Sequence, residues 1–124
     1  METWAMIGTW PFAIKGVEAF ADRLSAGMNA VDAAAEACRV VEDDPEVDSV
    51  GLGGIPNQEG EAELDAAVMD GHSMEIGAVC GVKNHKNPIL IARELLRHPK
   101  YNLLAARGAE AFAKSRGIPE ASAL

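Results

Sequence analysis

Apolar residues along this chain fall into blocks with two rhythms, one close to continuous and one near 3.6 residues. The run Trp4-Ala5-Met6-Ile7-Gly8-Thr9 is uncharged and predicts a short strand buried on both faces. Pro11 disfavours helix at Trp10 and ends it. Val17, Phe20, Ala21 and Leu24 then recur at i, i+3, i+4 and i+7, one stripe of an amphipathic helix with Gly27 as its stop. Asn29 is placed as the N-cap of a second helix whose face is Val31, Ala34, Ala35, Cys38 and Val41, broken at Asp43-Asp44-Pro45. The acidic run Glu42 to Asp48 reads as a solvated helix end and loop, and its spacing is a poor match to a cation loop.

Five of the twelve glycines lie between Val50 and Gly71. Gly51, Gly53 and Gly54 mark backbone that approaches a neighbour closely or takes positive φ. Pro56-Asn57-Gln58-Glu59-Gly60 reads as a turn and Asp70-Gly71 as another, with an extended segment between them. Glu59, Glu61, Glu63 and Asp65 alternate, so on a strand they share one face, which is then wet or meets cations. Asp65 and Asp70 flank apolar residues and are expected to be hydrogen-bonded inside. Met74 to Val82 is a further strand. Pro88 opens a helix with Ile91, Ala92, Leu95 and Leu96 inward and Pro99 as its stop. A last helix is expected from about Asn102 to Arg116, with Leu104, Ala105, Gly108, Ala109 and Phe112 inward and Gly117 at its end. The tail from Ile118 to Leu124 has no evident partner. Strands and helices thus come in pairs, a layered α/β arrangement and not a Rossmann repeat.

Composition narrows the function classes. With 124 residues the chain is one domain or part of one, and 48% hydrophobic with 5% aromatic residues implies a core of small aliphatics. A net charge of −8 argues against nucleic acid and anionic membranes. No uncharged run is long enough to span a bilayer, and no basic-then-apolar leader is visible at the start, so a cytoplasmic setting is expected. Cys38 and Cys80 read as buried free thiols.

Most site signatures fail. Gly51-Leu52-Gly53 lacks the third glycine of a dinucleotide fingerprint because Pro56 stands there. There is no HExxH, no phosphate loop and no Gly-x-Ser-x-Gly elbow. His72, His85 and His98 read as surface or capping residues. No metal, no cofactor and no complete catalytic set is expected within this chain.

Several blocks nevertheless resemble one family. They are Gly8-Thr9-Trp10-Pro11-Phe12, Ala30-Val31-Asp32-Ala33, Cys38 through Pro45, Ser49 through Asn57, Leu64 through Asp70, Gly77-Ala78-Val79, Lys86-Asn87-Pro88-Ile89 and Gly108 through Ala113. Together they resemble the α-subunit of the glycosylasparaginase and plant-type asparaginase group of N-terminal nucleophile hydrolases. The resemblance implies an αββα sandwich, of which residues 1–124 form the α-subunit part and a β-subunit from the same precursor the rest. It implies an assembly of two such heterodimers. It also implies an N-terminal threonine amidohydrolase cleaving N4-(β-N-acetylglucosaminyl)-L-asparagine, with isoaspartyl peptidase/L-asparaginase activity or a non-catalytic half-domain as alternatives. The nucleophile would be residue one of the β-subunit; Thr3 and Thr9, the only threonines, stand in no cleavage context. Trp10 is carried over as a substrate-binding residue, with a packed core aromatic as the alternative reading.

Overall fold

The computed structural model describes residues 3–121. Its elements are α1 (Ala13–Ser25), α2 (Ala30–Glu42), a 3₁₀ turn at Gly51–Gly53, β1 (Leu64–Asp70), β2 (Glu75–Val82), α3 (Pro88–Leu95), β3 (Leu103–Ala105) and α4 (Ala106–Ser115). The expected punctuation operates as its chemistry requires. Gly27 takes φ of +97° after α1. Asn29 Oδ1 accepts the backbone N–H groups of Val31 and Asp32 at 2.9 and 3.3 Å, capping α2. Gly117, φ +72°, follows α4.

β1 and β2 form an antiparallel hairpin in which Ala67 faces Ala78 and Met69 faces Ile76. β3 lies parallel to β2 on its far edge, with Leu103 opposite Ala78 and Ala105 opposite Cys80. Helices α3 and α4 cover one face of this sheet, α2 packs against α3, and α1 packs along α2. The core lies in that helix–sheet layer, where Val79, Val82, Ile91, Leu95, Ala109 and Ala113 are fully or almost fully buried. Alternating strand residues point the other way, and there Met69, Ile76 and Leu103 are exposed. One face of the sheet is therefore packed and the other bare.

Three expectations are corrected. Trp4 to Thr9 is not a buried strand: it has no regular structure, and Ile7 is 96% exposed. Extended backbone needs a ladder partner, and this segment has none among the described residues. The last helix starts at Ala106, because Leu103–Ala105 is taken by the sheet, where the edge of β2 offers backbone groups that a lone helical turn cannot match. The tail does have a partner: Ala121 bridges to His85, donating to the Asn84 carbonyl at 2.8 Å and accepting from the Lys86 N–H at 3.1 Å. Residues 122–124 lie outside the described part. The Asp70-Gly71 turn forms as expected, with Met74 as its left-handed residue, φ +62°, and the Asp70 carboxylate accepting the His72 N–H at 2.9 Å.

Gly77 shows why a strand residue without a side chain is needed at the sheet–helix contact. A Cβ there would stand 2.1 Å from the Ala92 carbonyl oxygen of α3. Backbone on both sides leaves nothing flexible to move. Gly77→Ala is expected to destabilise by about 1–3 kcal/mol through overpacking, read as a fall in the urea midpoint of the full-length protein.

Candidate functional site

The N-terminal segment, the α1–α2 hairpin and the start of β1 enclose an open groove of about 530 Å³. Its walls include Met6, Trp10, Ala37, Cys38 and Ala67, mostly apolar groups, with two acids, Glu42 and Asp65. Trp10 sits on the bend leading into α1, and its carbonyl accepts the Ala13 N–H at 2.9 Å, the bond that starts the helix. The residue is 66% exposed and its ring lies nearly parallel to Phe12, 12° between planes and 6.2 Å between centroids. Within the described residues Trp10 is not packed into the core. Cys38 is also exposed, and Cys80 half-buried, which corrects the expectation of two buried thiols. The Cys38 thiol is pushed up by desolvation, then by the nearby Glu42 carboxyl, which disfavours a reactive thiolate.

The acidic run beyond α2 is not a uniformly solvated end. Glu42 is only 5% exposed. Its Oε1 accepts the Ile89 N–H at 3.2 Å and its Oε2 accepts the Asn87 amide at 3.2 Å, so it caps the start of α3 from another helix. Asn87, the N-cap of α3, makes no cap of its own. The same Asn87 amide reaches Asp43 Oδ1 at 3.1 Å, and Asp43 also pairs with Lys86 at 2.7 Å and Arg39 at 3.0 Å. Burial works to raise Asp43, but the Lys86 and Asn87 hydrogen bonds outweigh it and hold the carboxyl low. Upstream on α2, Glu36 accepts Arg39 at 2.7 Å and Arg93 of α3 at 2.9 Å; burial again opposes, and the two guanidinium groups prevail.

Gly51 belongs to the same junction. With φ of +55° its Cα lies so close to α2 that a Cβ would stand 2.0 Å from the Glu42 carbonyl oxygen. The central glycines thus seat a turn on the end of α2, a close approach that their spacing suggested without naming its target.

The remaining candidates scatter. β1 starts at Leu64, so only Asp65 of the alternating acids is on the strand; its Oδ1 accepts the Gly81 N–H at 2.8 Å on the exposed side. Asp70 is likewise bonded at the surface rather than inside. Lys83 meets Glu61 and Glu63 in the preceding loop. His72 is exposed and His98 accepts the Lys100 and Tyr101 N–H groups, as a turn-capping residue does. His85 departs from the surface expectation: it is 3% exposed, with Nδ1 3.0 Å from the Lys83 carbonyl oxygen. Among the described residues no three His, Cys, Asp or Glu side chains converge as a metal site. No helix among them is long and apolar enough to cross a membrane. Sequence reasoning missed Glu42; its one signal was an acid in the last turn of a helix, the end where the macrodipole disfavours it.

Asn87→Ala removes the amide shared by both carboxyl groups. It is expected to cost about 1–3 kcal/mol, with Asn87→Asp more harmful because it adds a third acid, measured by denaturant titration.

The family model described as Asparaginase matches residues 13–123. The N(4)-(beta-N-acetylglucosaminyl)-L-asparaginase of Mus musculus is 41% identical over 113 residues, covering 91% of this chain and 32% of the mouse protein. The probable isoaspartyl peptidase/L-asparaginase 3 of Arabidopsis thaliana is 40% identical over 114 residues, 92% of this chain and 32% of its own length. An N(4)-(Beta-N-acetylglucosaminyl)-L-asparaginase of Elizabethkingia miricola is 39% identical over 120 residues, 96% of this chain and 35% of its own. The chain spans about a third of the length of these relatives. With a family match across nearly its whole length and relatives at this identity, the chain belongs to the asparaginase family.

Proposed function

We propose that residues 1–124 form the α part of an αββα N-terminal nucleophile hydrolase that cleaves the side-chain amide of glycosylated asparagine. The observation that carries this reading is the bare sheet face. Met69, Ile76 and Leu103 stand exposed there, on the face that Ala67 and Ala78 share by register, while helices cover only the opposite side. An apolar face of this kind needs a second layer, and a stacked sheet from the rest of the precursor supplies one. The exposed Trp4–Thr9 segment would gain its ladder partner in the same event.

The groove beside Trp10 adjoins this face at Asp65 and Ala67, which suits a substrate pocket completed by the second part. In this reading the chain holds no catalytic residue, and Trp10 contacts the sugar-bearing substrate. The nucleophile is the first residue of the β part, a threonine. Its α-amine, with a pKa of about 8 in free form, takes the hydroxyl proton. The oxygen attacks the amide carbon, the tetrahedral oxyanion collapses to a β-aspartyl ester, and the glycosylamine leaves with the proton. Water then hydrolyses the ester to aspartate. The assembly is a pair of such heterodimers.

A second reading with the same chemistry is an isoaspartyl peptidase/L-asparaginase, supported by the Arabidopsis thaliana relative at nearly equal identity. A non-catalytic half-domain fits less well, because the bare face would stay wet.

Intact-mass analysis of the folded full-length gene product tests the enzyme reading. Two chains are expected, the second beginning with Thr; a single chain with no such cleavage overturns it. Trp10→Ser is expected to lower kcat/KM for glycosylasparagine at least about tenfold, equivalent to about 1.4 kcal/mol, and to leave isoaspartyl dipeptide hydrolysis within about twofold. Equal losses on both substrates would remove the glycosylated substrate assignment.

A further inference from the structure

We propose that the groove is a berth for one β-strand, an extended segment from the remaining part of the same precursor, which adds to the free edge of β1 and lies across α2. This rests on the reading that a second part completes the chain, and it adds an edgewise junction to the face-to-face one. β1 is the last strand on its side of the sheet, and among the described residues no backbone hydrogen bond reaches residues 64–69 from outside the hairpin. The outward N–H and C=O groups of such an edge are a template for another strand. The groove meets β1 at this edge. It touches Asp65, Ala66 and Ala67, and consecutive strand residues point to opposite faces, so only an approach from the side reaches all three.

The floor of the groove suits such a strand. α2 flanks α3 in the helix layer and meets β1. Its groove-lining residues are Ala30, Ala33, Ala34, Ala37, Cys38 and Val41, one stripe at helical spacing whose small side chains admit a close backbone. A sheet that ends at β1 leaves the groove side of this stripe without a strand over it; one more strand, about 4.8 Å further out, supplies it. The edge also lacks the usual guards. Residues 64–70 contain no Lys, Arg or Pro. Asp65 turns its Oδ1 away from the free edge, to the Gly81 N–H of β2 at 2.8 Å. The other groove acid, Glu42, is bonded to Ile89 and Asn87. Both acids are thus engaged within this chain, and the entering strand is apolar on the side that faces α2. The relatives have the length to supply it, since this chain spans about a third of theirs. The berth is continuous with the bare face, because Ala67 belongs to both. Residues 5–9 line it as well, and they have no backbone hydrogen bond of their own among the described residues. Trp10 lines the same groove, so the added strand also forms a wall of the pocket beside it.

Residue-resolved amide hydrogen exchange in the folded full-length protein tests the berth. Along an unpaired edge strand every second N–H points outward and exchanges freely, while those bonded to β2 exchange slowly. With the berth filled, the outward N–H groups of residues 64–70 are expected to exchange within about tenfold of their bonded neighbours. An alternating fast and slow pattern overturns the proposal. The occupant is read from amide–amide nuclear Overhauser contacts of Ala66, Ala67 and Val68 in the same protein. Contacts to one extended segment beyond residue 124 are expected. Contacts to residues 4–9, contacts to a second copy in a mixed-labelled sample, or none outside the hairpin overturn it. Hydroxyl-radical oxidation of Met69 separates the berth from the stacked layer. If exchange alternates while Met69 resists oxidation, the layer stands and the berth falls. If Met69 is oxidised as fast as in unfolded protein, the face is bare in the full-length protein and the αββα reading falls with the berth.

Discussion

The most buried link between parts of this chain that have no covalent reason to meet is one carboxyl group. Glu42 ends α2, receives the first free N–H of α3 and carries the backbone against which Gly51 closes. A helix that begins with Pro88 and lacks a working cap of its own leaves its N-terminal donors exposed or unsatisfied. Supplying the acceptor from another helix ties the start of α3 to the end of α2. Because α3 also covers β1 and β2, the sheet is linked to the same junction.

The cost of this arrangement is a buried acid with no cation of its own. The surrounding charges distribute themselves around that problem. Arg39, Lys86 and Arg93 neutralise Asp43 and Glu36 at the half-exposed rim, where ion pairs are tolerated. Glu42, deeper in, is accommodated by the hydrogen bonds it accepts from Ile89 and Asn87. Burial raises the Glu42 carboxyl, whereas ion pairing holds Glu36 and Asp43 low on either side of it in the chain.

The two sides of the molecule differ in completeness. The helix-covered side of the sheet is packed with Val79, Val82, Ile91 and Leu95. The opposite side presents Met69, Ile76 and Leu103 to solvent, and the N-terminal segment carries an almost fully exposed Ile7. Burying such groups is worth roughly 1.5–3 kcal/mol per large side chain, a substantial driving force toward a further layer. A chain spanning about a third of its relatives' length is consistent with that incompleteness.

Local chemistry was legible wherever it acts within a few residues. The 3.6-residue stripes, the Asn29 cap and the Gly27 and Gly117 stops depend only on backbone geometry and nearby donors, so their positions could be read from residue type and spacing. The family blocks identified the asparaginase relationship in the same way, and Trp10 was singled out beside Pro11. Tertiary structure decided what distance along the chain conceals. Glu42 and Ile89 are 47 positions apart, and nothing local marks the acid as buried. Leu103 to Ala105 reads as helix by periodicity but pairs with β2 because that edge offers unpaired backbone groups. Trp4 to Thr9 reads as strand by composition but lacks a ladder. Sequence determines what each segment prefers; the availability of a partner, which depends on the whole packed chain, determines what it becomes.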